Sequence, residues 1–451
     1  MGRLTKISLS IPLVVASLAL AACGGGGSSS TSSGGSGKTL TVYVGAQPNY
    51  PKQFAQWSKD ISDKFKAATG ANLQIETYSS ASDETTKIQT SIVSGNGPDV
   101  YVLGTTFTPV AYGTKGFLTL SDSDWTGAGG KSRLIPQTLG MSGPDQSTQI
   151  GIPVAMRPFG MIYNTDMFKA AGISKPPTTW DELISDSQKL TKNGVYGMAI
   201  GYADTYDPWK FIWALTEQQG GSFVSKDLKT AQLNSPQVLK ATTGYFDLLT
   251  KDKVVDPASA GWKDADAMAA FAGGKAAIFP MATATAINTL DSSSSAVKGK
   301  YAFAPLPGVG IGMNSLPAGA NAAQTIVSGD NLAIASYTKN KDLALAYAKL
   351  STDTDMQVEQ FKLFGNLPTN QQALDQVLKD NPQLAPFADA EKGSTPTAFT
   401  GAWADFQNGI ANVVVQSDSS LSKGTYDVNQ LQSLLSAANS KAQQSLDRAG
   451  Q

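Results

Sequence analysis

Histidine is absent from the 451 residues, and only one cysteine is present. The first absence removes Ser-His-Asp and Cys-His nucleophile systems, His-ligated zinc and histidine acid–base catalysis together. The second excludes disulfides within the chain and thiolate metal clusters. Charge is also scarce: 16% of residues are charged, and 35 Lys and Arg stand against 36 Asp and Glu, a net charge of −1. The chain therefore has neither a basic excess for nucleic acid nor the charge imbalance of a disordered polymer. With 41% hydrophobic residues there is material for a large core, and the length predicts about two to three domains. What remains open is catalysis by carboxylate, Lys, Tyr or Ser-Lys groups, or binding without covalent chemistry. No metal or cofactor is expected.

The N-terminus carries an address. Arg3 and Lys6 form a cationic start, Ile7 to Ala22 is mostly apolar, and Leu20-Ala21-Ala22-Cys23 ends the run. It is too short for a membrane span and reads as a secretory leader over 1–22. Leu-Ala-Ala-Cys resembles the lipobox of bacterial lipoproteins, in which the cysteine thiol is acylated and becomes the new N-terminus. The single cysteine lies there. Residues 24–38, GGGGSSSTSSGGSGK, form a Gly/Ser tether, so that 23–38 is expected to be a lipidated Cys23 and a flexible leash. The resemblance implies a body held at the outer face of the cytoplasmic membrane.

The body opens on alternating strands and helices. Thr39–Val44 is a strand, Phe54, Trp57, Ile61 and Phe65 recur at helical spacing up to Gly70, and Leu73–Tyr78 is the next strand. Ile88 and Ile92 lie on a following helix, and Val100–Leu103 is a third strand. This predicts an α/β lobe with a parallel sheet. Further strands are expected at Gly151–Pro153, Met161–Asn164, Tyr196–Ile200, Ala276–Phe279, Tyr301–Ala304 and Leu332–Ala335. Thr179 and Glu182 are spaced as a capping box. Beyond Lys341 the pattern is almost wholly helical.

A family resemblance covers nearly the whole body. Gly95-Asn-Gly-Pro-Asp-Val-Tyr101, Gly151-Ile-Pro153 with Tyr163-Asn164-Thr-Asp-Met-Phe168, and Ala171-Gly-Ile173 with Pro177–Glu182 are similar to stretches of the extracellular solute-binding proteins of bacterial ABC importers. Phe271-Ala-Gly-Gly-Lys-Ala-Ala-Ile278 and Asn331-Leu-Ala-Ile334 continue the match in the same order. The branch resembled is the carbohydrate-binding one, related to maltodextrin-binding protein. The resemblance implies an α/β, periplasmic-binding-protein-like two-lobe fold with a hinge-linked cleft. Carried onto this chain, crossings fall near 152–154, 276–281 and 327–332, giving lobe one as 39–153 plus 280–328 and lobe two as 154–279 plus 329–451. It further implies a monomeric, non-enzymatic sugar carrier that docks on membrane permease subunits, with no nucleic-acid partner.

Sugars need a flat aromatic face for their C–H surface and planar polar groups for their hydroxyls. Asp207-Pro208-Trp209 resembles a stacking stretch of the maltodextrin-binding relative, which makes Trp209 the first expected platform and Asp207 a hydroxyl acceptor. Trp403 resembles a second stacking residue. Thr106 and Phe107, just after a strand, and Gln47 and Tyr50, just after the first, lie where open α/β sheets place ligands. Arg157 follows the first crossing and is expected to face the cleft. Trp262 is a weaker ligand candidate for which core packing reads better. Pro280-Met281-Ala-Thr-Ala replaces the Gly and aromatic that many relatives carry, which points to a smaller saccharide than a long maltodextrin.

Other motifs fail. Gly130-Lys131-Ser132 lacks the first glycine of a phosphate-binding loop, where Trp125 stands. Ser295-Ala-Val-Lys298 has no companion Lys-Thr-Gly. Asp122 with Asp124, or Asp264 with Asp266, would be the carboxylates of the alternative reading, a secreted carbohydrate-active enzyme; they read better as helix-start acids. A non-sugar solute binder of the same fold is the remaining alternative.

Overall fold

The computed structural model describes residues 37–449, apart from Asn49, Ser80, Gln146 and Tyr206. The leader, Cys23 and nearly all of the tether lie outside the described residues. Lys38 to Gln451 forms one compact unit, and no helix among the described residues is long and apolar enough to cross a membrane.

Among the described residues, nine strands lie in two sheets. The first has the order β2 (Asn72–Tyr78), β1 (Thr39–Gly45), β3 (Val100–Gly104), β9 (Gly329–Ile334), β4 (Gly151–Met156). β1 pairs in parallel with β2 and β3, as the βα alternation predicts, whereas β9 runs antiparallel between β3 and β4. The second sheet has the order β6 (Tyr196–Met198), β7 (Ala276–Ala282), β5 (Gly160–Asn164), β8 (Tyr301–Ala304).

This membership corrects the expected lobes. Residues 280–304 stay with the second sheet, where β8 pairs with β5, and β9 returns to the first, with Leu332 opposite both Val102 and Ile152. The first crossing is Arg157–Phe159, just after the expected 152–154. There is no crossing at 276–281, because β7 is a fully buried strand of the second sheet. Pairing partners more than 170 residues apart leave no local trace in the pattern, so strands are readable where sheet assignment is not.

Local rules account for the elements that frame the cleft. Helix α1 (Pro51–Thr69) starts on a proline, which suits a position with no intrahelical N–H partner, and stops at Gly70, whose φ of 72° is comfortable only without a Cβ. Its buried Ile61 and Phe65 face the first sheet. The capping box of Thr179 and Glu182 is formed. Asp122 and Asp124 are indeed helix-start acids, but Asp124 is buried, caps Ser121 and pairs with Lys341 at 2.6 Å. Lys131 sits over the Trp125 ring at 4.9 Å, a packing role for the would-be phosphate loop.

Candidate functional site

The ends of β1 and β2 and the crossing at Arg157 converge on a cavity of about 470 Å³, within the range of small-molecule sites. Gln47, Tyr50, Tyr78, Arg157, Asp330 and Asn366 line its mouth. A second depression, on the other sheet, holds Asp207, Lys210, Phe159, Asp264 and Met281, and it shares Tyr50 and Thr285 with the first. One continuous cleft therefore runs between the two sheets, with Tyr50 at the junction.

Arg157 faces the cleft as expected, and it is fixed there. Its guanidinium donates two parallel hydrogen bonds to the Asp330 carboxylate, at 2.5 and 2.7 Å, and a longer one to Asn366 at 3.5 Å. Such a fork sets the plane of both groups. It also ties the crossing segment to β9. Phe159, two residues on, is held by a hydrogen bond from its N–H to the Thr325 hydroxyl at 2.7 Å.

Behind Tyr78 lies Glu84, on helix α2 (Ala81–Ser94), with only 3% of its surface exposed. Burial, then the charge of Asp330, pushes its carboxyl up to about 8, so it is protonated at neutral pH. Burial likewise raises the Tyr78 phenol, whose hydroxyl donates to the Val102 carbonyl at 2.9 Å. Tyr78 thus offers its ring rather than its hydroxyl to the cavity.

On the facing sheet, Asp207 is paired with Lys210, whose ammonium also lies over the Phe159 ring at 4.5 Å. Burial opposes the charge on Asp207, but the Lys210 ammonium outweighs it and holds that carboxyl below the usual range. Desolvation in the crowded cleft, then the Asp207 charge, raises Asp264. Met281 adopts a φ of 57°, in the left-handed region that non-glycine residues seldom occupy.

The structure brings together Gln47, Tyr50, Arg157 and Asp207 of the expected set. The others lie elsewhere. Trp209 and Trp403 are 0% and 1% exposed and line neither depression. They meet edge-on at 5.9 Å, and Trp403 stacks on Phe223 and Phe406. Their faces are spent on each other and on the second-lobe core, which corrects the stacking role expected of them. Thr106 is buried, and Phe107 lines neither depression; the adjoining Thr105 N–H is bonded to the Gly329 carbonyl at 3.0 Å, so the inserted β9 closes that strand end. Trp262 is half-buried against the cluster containing Phe271 and also lines neither depression.

Several cleft residues escape the sequence reading. Tyr78 ends a β-strand and obeys the same strand-end rule that found Gln47 and Tyr50, so a signal was present. Asp330 and Asn366 carry no such mark, because each reaches the cleft through long-range topology. Lys210 is one helical turn from the expected Asp207, and Asp264 is singled out in the sequence only as a carboxylate of the enzyme alternative.

Comparisons agree with this architecture. Residues 47–358 match the family described as bacterial extracellular solute-binding protein. A curated relative is the diacetylchitobiose-binding protein DasA of Streptomyces coelicolor, 27% identical over 426 residues, spanning 89% of this chain and 91% of the relative. Among solved structures, maltose-bound MalE3 of T. maritima superimposes with a TM-score of 0.72 at 18% identity, covering 89% of this chain and 99% of that one. The GacH receptor of Streptomyces glaucescens, solved unliganded and with acarbose, gives 0.69 at 18% identity, covering 90% and 99%. The fold is that of the two-lobe solute-binding proteins.

Proposed function

The chain belongs to the bacterial extracellular solute-binding protein family, a family of binding proteins rather than enzymes, and from that premise we propose that it captures a sugar or oligosaccharide outside the cell for a membrane ABC permease. The observation that carries this reading is the cleft itself, where Tyr50 and Tyr78 supply rings and Gln47, Arg157, Asp330, Asn366 and Asp207 supply planar polar groups. A saccharide stacks its C–H face on Tyr50 and spends its hydroxyls on the charged pairs on either side. Support for the ligand class comes from relatives named for diacetylchitobiose and maltose.

Signalling follows from closure. Ligand that contacts both lobes favours the closed form, and only that differential affinity can report occupancy to a permease. The Arg157–Asp330 fork sits where the chain crosses, well placed to hold the hinge in register. Before this capture, the leader is removed, Cys23 is acylated, and the Gly/Ser tether lets a monomeric body work at the outer face of the cytoplasmic membrane. Short ligands of one to four sugar units suit a cleft in which Pro280-Met281-Ala282 replaces an aromatic platform.

The test is a thermal-shift screen of mono- to tetrasaccharides, including chitin- and starch-derived series, with a reducing-end assay on the hits. Saturable stabilisation without new reducing ends is expected. Turnover, or no response to any saccharide, would overturn the reading.

A further inference from the structure

Only part of the first-lobe cavity suits a sugar. From its mouth at Gln47, Arg157, Asp330 and Asn366, the cavity extends beneath α1, where Val44, Ile61, Val154, Leu332, Tyr347 and Met356 form the inner wall. These six belong to the hydrophobic core of the first lobe, and each is 6% exposed or less. Phe54 and Trp57, stacked at 5.7 Å, roof the same space from α1. Interiors are normally packed with few voids larger than a water molecule, and a large unfilled space in a core is destabilising. An apolar void of about 150 Å³ is enough to hold benzene, and the whole cavity is about 470 Å³.

Sugar hydroxyls are poor occupants of that inner end. Most of that wall is valine, isoleucine, leucine and methionine, against which a hydroxyl would lose its water without gaining a partner. Ser351, Gln360 and the Tyr347 hydroxyl are too few to serve the several hydroxyls of a sugar ring. Tyr78, which also lines the cavity, has already given its hydroxyl to Val102. An apolar group attached to the sugar fits without such a cost, because the chamber is continuous with the polar mouth.

We propose that this chamber is a subsite for an apolar substituent, aryl or alkyl, on the saccharide that the cleft holds. The inference rests on the sugar reading for its polar half and on the chamber walls for its apolar half. The ligand class that follows is a glycoside whose aglycone enters the first lobe beneath Phe54 and Trp57 while its sugar stays between Tyr50, Arg157 and Asp207.

The test uses the whole protein and two chamber-filling variants, Ser351→Phe and Gln360→Trp. Both side chains line the chamber, and both residues are half-buried; the second variant keeps the test open should the first fail to fold. Fluorescence titration with 1-anilinonaphthalene-8-sulfonate reads the chamber, and phenyl and methyl β-D-N-acetylglucosaminides compete for it. Saturable probe binding is expected in the parent protein, weakened about tenfold or more in a folded variant, with the phenyl glycoside displacing the probe at roughly a tenth of the methyl glycoside concentration. Equal displacement by the two glycosides in the parent protein would overturn the proposal. So would probe affinity unchanged in a folded variant, or a filled variant that melts higher with undiminished preference for the phenyl glycoside, since either marks a packing void. Probe binding that the variants abolish but neither glycoside displaces would also overturn the proposal, since the chamber would then be no part of a saccharide site; the saccharide screen tests the sugar reading by itself.

Discussion

Replacing Trp209 by Ala decides whether this indole belongs to the core or to the ligand site. It is fully covered, meets Trp403 at 5.9 Å, and through Trp403 joins a stack with Phe223 and Phe406. Removing a large aromatic from such a setting costs about 3–5 kcal/mol. Unfolding entropy near 60 °C is about 2.1 cal/mol/K per residue, so a body of roughly 410 residues that unfolds as one unit should melt about 4–6 °C lower. Unfolding of the second lobe alone would make the drop larger. Tyr50→Ala is the contrast, since Tyr50 is half-buried and lines both depressions. It should weaken saccharide binding by about 1–3 kcal/mol, roughly 5- to 150-fold, with little change in melting temperature. Scanning calorimetry of the ligand-free proteins and isothermal titration of the folded fractions measure both quantities. A Trp209→Ala protein with intact melting temperature and lost affinity would refute the core assignment.

Three further outcomes are expected. Glu84 has its carboxyl raised from 4.5 to about 8 in the folded chain, so between those values the folded state binds more protons than the unfolded one, and its contribution to stability, complete below about 4.5, is lost as pH rises through about 8, at no more than about 1.4 kcal/mol per pH unit. Glu84→Gln removes that term, and denaturant midpoints at pH 5 and pH 8 should lie closer together than in the parent; an equal spread would contradict the buried-acid assignment. Arg157→Ala leaves the Asp330 carboxylate without its fork and should cost about 1–3 kcal/mol, between exposed and buried ion-pair losses, with part recovered by adding Asp330→Asn; absence of any recovery in urea unfolding would argue against the pair. Cys23→Ser should release the protein from membranes on fractionation, and unchanged membrane association would refute the lipid anchor.

Much of the local structure is legible because β-strands and amphipathic helices leave periodic traces, and because Gly70 in the first lobe and the Thr179–Glu182 box in the second mark ends by local chemistry. The insertion of β9 between β3 and β4 is not legible, since its partners are remote and its own residues, Asp330-Asn-Leu-Ala-Ile334, fit either sheet. Site residues followed the same division. Gln47 and Tyr50 were found by the strand-end rule, whereas the matching end of β3 is closed off by β9. Asp207 and Lys210 reach the cleft while Trp209, between them in sequence, does not. Successive residues of a helix point about 100° apart, and in Pro208–Gln218 nearly every face is buried, so hydrophobic patterning cannot say which face meets ligand. Family resemblance carried the fold correctly and the aromatic platforms incorrectly, because an aromatic type is kept by a core as readily as by a sugar.

The central claim is that a saccharide is held at the junction of the two depressions, around Tyr50 and Asp207. Its most direct measurement is an isothermal titration of the parent protein and the Tyr50→Ala, Asp207→Asn double variant with the saccharide that most raises the parent's melting temperature. The account predicts one saturable site per chain in the parent, and affinity lowered about a hundredfold or more in the double variant, if two anchors are lost together. Binding of undiminished affinity in a folded double variant would contradict it, because the ligand would then sit elsewhere on the protein.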